Sequence, residues 1–168
     1  MAVEAMVDAH KMWAYNVYLR HRFFNTLATL KWEELVKDRK ASFDSLRNLF
    51  LHVLNCEEWY LHTVVPNKGG QYISYNFDEY TDIGVVRRKM EEVEAKTRRF
   101  LESLSEDEFR RTFEYSRPDG TKRRNSIEEI LVHLVLEETH HRGEIICLLW
   151  EMNVEPPFEG WLQYLLKN

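Results

Sequence analysis

Apolar positions recur along this chain at steps of three and four residues in four long segments, a spacing that predicts four helices. The first spans about residues 3–30, with Met6, Trp13, Val17, Phe24 and Leu27 on one face. The second spans about 43–65, with Leu46, Leu49, Phe50, Val53, Cys56, Tyr60 and Val64 on one side. The third, about 83–104, carries Ile83, Val86, Met90, Val93, Phe100 and Leu104, and Thr97 fills the remaining slot of a bundle-type seam. The fourth, about 126–152, opens on the capping box Ser126-Ile127-Glu128-Glu129 and is stopped by Asn153 and the pair Pro156-Pro157. A short helix around 158–166 packs back on the bundle.

The connections are long. Helices one and two are separated by roughly a dozen residues with a further amphipathic turn. Between helices two and three, Pro66 to Gly70 precede an aromatic stretch from Tyr72 to Tyr80, long enough to cross the length of a bundle. Between helices three and four, Thr112 to Tyr115 and Lys122 to Arg124 flank Pro118-Asp119-Gly120, the pattern of a small hairpin. The expected fold is all-α: a four-helix bundle with long crossover connections, that hairpin and a short C-terminal helix, in one domain over residues 1–168.

Composition narrows the function. With 44% apolar and 30% charged residues in 168, the chain can bury a real core. A net charge of −5 gives no overall attraction to nucleic acid or anionic lipid, and the basic run Lys122 to Arg124 is too short to reverse that. The two cysteines, Cys56 and Cys147, fall in apolar helical patterns, which argues against a disulfide framework and for a reducing compartment. There is no basic stretch followed by an apolar one at the start, and no apolar run reaches about 18 residues. A cytoplasmic protein with no membrane partner is expected.

The chemistry concentrates in Leu134 to Glu144, where Glu137, Glu138, His140 and His141 interrupt what otherwise reads as a buried helix. Buried charge is costly unless compensated, and a metal ion compensates it. Glu137 and His141 are spaced i, i+4, so they stand on adjacent turns of one face and can converge on one ion. His52, beside the inward face of helix two, is the candidate third ligand. A two-histidine, one-carboxylate set leaves coordination positions open, as catalytic sites do. The plain alternative is that a histidine on an apolar face is a hydrogen-bonded core residue. Cys56, one turn after His52, could be a thiolate ligand or a small core residue. Glu138-x-x-His141 has the spacing of a di-iron bundle, but no second Glu-x-x-His occurs in the chain. Nothing in the spacing of His10, His21 or His62 singles them out, and Arg142 reads as solvated or salt-bridged.

These residues resemble the DinB/YfiT-like family of metal-dependent bundle enzymes. The resemblance rests on Ala14-Tyr15-Asn16 through Leu27, on Ser45 to His52 with Trp59 seven residues on, on Ser126 to His133, and above all on His140-His141-Arg142-Gly143-Glu144. Family members commonly carry a histidine where this chain has Glu137. With Glu137 as ligand, preference would move toward harder ions such as Mn or Fe; otherwise the site is degenerate. The resemblance implies a non-sequential bundle topology, a homodimer, and a divalent metal (Ni, Zn, Mn or Fe) held by His52, Glu137 and His141. It also implies thiol S-transferase or hydrolase chemistry on a small-molecule substrate, with a low-molecular-weight thiol as cosubstrate. The competing classes are a non-catalytic metal-binding stress protein, whose site His133, His140 or Cys56 would close, and an interaction scaffold.

Overall fold

The structure is a computed structural model and describes residues 8–67 and 69–167. Helix α1, Ala9–Leu27, starts at Asp8, whose carboxylate accepts from the Lys11 N–H. The expected start near residue 3, with Met6 on its face, lies outside the described residues. Helix α2, Trp32–Val36, is the amphipathic turn of the first connection. Helix α3, Leu46–Trp59, begins later than the periodicity suggests, because Asp44 takes a positive φ of 65° and the Ser45 side chain then caps the helix. It runs on through one π-helical turn, Tyr60–Val64, into Val65–Asn67. Pro66 has no N–H to donate, and the wider turn before it accommodates that gap. Helix α4 is Ile83–Glu102, and a short helix α5, Glu106–Arg110, stands where the sequence reading has only a connection. Strands β1, Phe113–Ser116, and β2, Lys122–Asn125, form the hairpin, with Phe113 opposite Asn125. Helix α6, Ile127–Glu151, has the expected capping box, and Asn153 ends it with a φ of 56°. Helix α7, Trp161–Leu165, is shorter than the 158–166 of the sequence reading. Glu159 holds this last segment down by accepting from the Tyr18 hydroxyl, Arg22 and Lys167.

Contacts between the long helices fix the topology. Along α1 and α4 the pairs Trp13–Arg98, His21–Glu94 and Phe24–Arg87 run in opposite senses, so these helices are antiparallel. Phe50 packs with Val86, and His62 meets Thr97, so α3 and α4 are parallel. His52 faces Glu137 and Tyr60 faces His133, which makes α3 and α6 antiparallel. Trp13 packs near Leu131, and Phe23 near Ile145, so α1 and α6 are parallel. The cyclic order is α1–α6–α3–α4, not the order of the chain.

Because α3 and α4 point the same way, the chain must travel back along the bundle between them. Residues 69–82 do this, and Asn55 on α3 pins them. Its Nδ2 donates to the Ile73 carbonyl at 2.9 Å, and its Oδ1 accepts from the Tyr75 N–H at 3.0 Å and the Tyr72 hydroxyl at 2.9 Å. Asn55 is buried. Asn55→Ala removes all three bonds at once. An expected loss of about 1–3 kcal/mol should show in urea melts, with faster proteolysis inside residues 69–82 than elsewhere.

The apolar core is split in two. One cluster holds Phe24, Leu49, Leu54, Met90 and Leu149; the other holds Trp13, Leu61, Leu101, Ile127 and Leu131. Between them lies a charged layer with one residue from each long helix: Arg20, Glu57, Glu94 and Glu138. Arg20 is only 1% exposed. It reaches Glu57 at 2.6 Å, Glu138 at 2.6 Å and Glu94 at 3.3 Å. Among the described residues, no helix is long and apolar enough to cross a membrane.

Candidate metal centre

Helices α3 and α6 lie antiparallel, and each presents an i, i+4 pair to the other. His52 and Cys56 stand on consecutive turns of α3, Glu137 and His141 on consecutive turns of α6. Glu137 is the meeting point. Its Oε1 lies 3.3 Å from His141 Nε2 and 3.6 Å from His52 Nε2. The Cys56 sulfur is 3.4 Å from the same His52 nitrogen. The donor atoms of His52, Cys56 and Glu137 all lie within 4.8 Å of one another, and so do those of His140, His141 and Glu144. Of the three residues named from sequence, His52 and Glu137 fall in the first group and the buried His141 in the second, and the Glu137 carboxylate joins the two.

The second nitrogen of His141 is also engaged. Nδ1 is 2.9 Å from Glu144 Oε1. Glu144 is itself held by the Ser42 N–H at 3.0 Å and the Ser42 hydroxyl at 2.8 Å. Burial pushes the Glu144 carboxyl up, but Ser42 and His141 outweigh it and hold its pKa below the usual value. A carboxylate therefore sits on each ring nitrogen of His141. With the proton on Nδ1 facing Glu144, the Nε2 lone pair points at the Glu137 oxygen, and two lone pairs repel. A cation between them, proton or metal, removes that repulsion. An imidazole whose other N–H is fixed by a carboxylate is the arrangement that orients metal-ligating histidines.

His52 is prepared differently. It stacks on Phe43 with ring centroids 3.7 Å apart and planes at 19°. Burial, then the neighbouring His141, lowers its pKa, so it stays neutral with a lone pair to offer. Burial, then the charge on Glu137, pushes the Cys56 thiol up to about 12, despite a hydrogen bond with Tyr72.

Over His52, Cys56 and Glu137 opens a cleft of about 610 Å³. Trp59, Tyr60 and Tyr72 supply aromatic walls, His133 stands at one side, and the hairpin tip from Arg117 to Asp119 overhangs it. The aromatic crossover thus contributes Tyr72 to the cleft, while Tyr75 turns to Glu58 at 2.6 Å and serves packing.

Other sequence candidates are placed elsewhere. His10 stacks on Phe109, His21 pairs with Glu94, and His62 meets Thr97 with its pKa lowered to about 4 by burial and Lys96. His140 is exposed, with Glu144 3.9 Å away. Glu138 belongs to the charged layer, where it accepts from Asn16 and Arg20, so its oxygens are already in use. The di-iron reading ends there: a guanidinium occupies the centre where that site would need ions. Arg142 is buried rather than solvated, bonded to Asn16 and 3.4 Å from Glu138.

Sequence reasoning missed Glu144 and Arg20. Glu144 follows His141 by three residues, the spacing that puts both on one helix face. Arg20 lies in the seven-residue gap of the stripe Trp13, Val17, Phe24 and Leu27, three residues after Val17 and four before Phe24.

The donor chemistry fits a divalent ion: two imidazoles meet one carboxylate, with a thiol beside His52. Glu144→Gln keeps the shape but weakens the acceptor on His141. Its expected effect is a 10–100-fold loss of affinity for a divalent ion, measured by calorimetric titration, with an unchanged circular dichroism spectrum.

Two comparisons bear on this site. The profile of the DinB family matches residues 1–165. A curated relative, the uncharacterized protein YizA of Bacillus subtilis (strain 168), is 23% identical over 160 residues, covering 94% of this chain and 96% of its own.

Proposed function

Because this chain belongs to the DinB family, we propose that it is a metal-dependent enzyme of the thiol S-transferase type, with His52, Glu137 and His141 as metal ligands. The observation that carries this reading is the convergence of two histidine Nε2 atoms on one glutamate oxygen, 3.3 and 3.6 Å away, with that glutamate and His52 lining an open cleft. When bound, a divalent ion lowers the pKa of a small thiol, or of water, and presents the anion to an electrophile.

The chain's own residues set the conditions. Glu144 orients the His141 ring through Nδ1, and Phe43 fixes the ring plane of His52. Trp59, Tyr60 and Tyr72 line the approach, exclude water from the reacting atoms and offer flat surfaces to a substrate. Cys56 and Cys147 are free cysteines, which suits a reducing compartment rich in small thiols.

The test has two stages. Metal content of untagged, chelator-free protein is measured first, and near-stoichiometric Ni, Zn, Mn or Fe is expected. The loaded protein is then assayed for conjugation of small thiols to halogenated or epoxide electrophiles. Metal without turnover on any thiol would favour the non-catalytic metal-binding reading. No metal after reconstitution with each ion would favour a scaffold.

A further inference from the structure

We infer that Cys56 is a fourth metal donor, so that the resting centre is a closed set of two nitrogens, one oxygen and one sulfur. This rests on the metal centre proposed above and concerns what occupies its remaining position.

The argument is one of edge lengths. Zinc binds histidine nitrogen at about 2.0–2.1 Å, carboxylate oxygen at about 2.0–2.2 Å and thiolate sulfur at about 2.3 Å. In a tetrahedron built on those bonds, nitrogen and oxygen stand about 3.3 Å apart, and nitrogen and sulfur about 3.6 Å apart. The structure has 3.3 Å for His141 to Glu137, 3.6 Å for His52 to Glu137 and 3.4 Å for His52 to Cys56. These distances link the four residues in a chain, His141–Glu137–His52–Cys56, in which His52, Cys56 and Glu137 lie within 4.8 Å of one another and His141 joins through Glu137. The helix geometry explains the chain of contacts: two i, i+4 pairs stand opposite each other on antiparallel neighbours.

The competing role is a core cysteine giving a weak S–H bond to His52. Cys56 is buried, yet it borders the cleft rather than only the apolar core, and its sulfur lies near the nitrogen that also faces Glu137.

Two consequences follow. A sulfur ligand shifts selectivity from the harder ions that Glu137 alone would favour toward zinc. A small thiol entering the cleft must also displace a protein thiolate, an exchange of like for like. Coordination replaces the S–H bond of Cys56 with an S–metal bond and releases that proton to solvent.

Cobalt(II) is the probe, titrated into the metal-free full chain, into Cys56→Ser and into Cys147→Ser. The expected result is an intense near-ultraviolet sulfur-to-cobalt charge-transfer band in the native protein and in Cys147→Ser, absent from Cys56→Ser although cobalt still binds. Zinc titrations in buffers of different ionisation enthalpy should release about one proton more from the native protein than from Cys56→Ser. Cobalt binding with no such band in the native protein would overturn the inference and leave the three-donor centre standing. Absence of cobalt binding in the native protein would overturn both. The native spectrum decides the matter even if Cys56→Ser folds poorly.

Discussion

Arg20→Ala is expected to unfold the chain, or nearly so, at neutral pH. Arg20 is the hub of the charged layer and is fully desolvated. Removing it leaves Glu57, Glu94 and Glu138 facing one another in the middle of the bundle. Loss of one partner from a buried ion pair costs about 3–5 kcal/mol, and here Glu57 loses its cation while Glu94 and Glu138 keep only His21 and Arg142. Typical total stability is only about 5–15 kcal/mol. Burial of Glu138 raises its pKa, but Arg20 and Arg142 outweigh that and hold it below the ordinary carboxyl value. Its contribution in the native protein is therefore present above the unfolded pKa and is lost as the pH falls through the lowered one. In Arg20→Ala the sign reverses. Without the guanidinium, burial dominates and raises carboxyl pKa values, as it already does for Glu94. The folded variant then binds more protons than the unfolded chain, so acidification from neutral pH toward 5 should stabilise it. Thermal melts at several pH values check this: the native Tm holds or falls on acidification, and the variant's rises. Parallel profiles would mean that Arg20 does not neutralise this layer.

The second large effect concerns His141→Ala. His141 bridges Glu137 and Glu144, and the substitution removes a ligand rather than the support of one. Metal affinity should drop by well over the roughly 100-fold expected at most for the Glu144 change. Stability of the metal-free form should change far less than in Arg20→Ala, because His141 stands outside the charged layer. Calorimetric titration beside urea melts separates the two. A variant that still binds metal with native affinity would remove His141 from the ligand set, leaving His52, Cys56 and Glu137 as the candidates.

Much of the architecture is legible in the sequence because it is local. The period of the apolar stripes, the capping box at Ser126 and the turn at Pro118 to Gly120 each act over a few residues, and each lies where expected. The bundle's parallel pair, α3 and α4, is legible in the length of the connection between them. Glu137 and His141 stand out because two polar groups one turn apart on an apolar face need a common explanation. Arg20, Glu57 and Glu94 do not stand out singly. Each is one charge on one amphipathic helix, and each reads as a surface residue until the other three helices are set around it. The π turn at Tyr60–Val64 is hidden for a related reason: it depends on how the helix reaches Pro66, not on a composition of its own.

The charged layer also acts as a register pin. Sliding any long helix by one turn, about 5.4 Å, would carry its member out of the plane and leave the others mismatched. Apolar side chains tolerate such slippage; this cross-section does not. The donor set between α3 and α6 is therefore positioned before any ion arrives, and a chelator should empty the site without melting the bundle, unlike a zinc finger. It also separates two kinds of change. Side chains at 52, 56, 137 and 141 can be exchanged among histidine, glutamate and cysteine while the frame keeps its alignment.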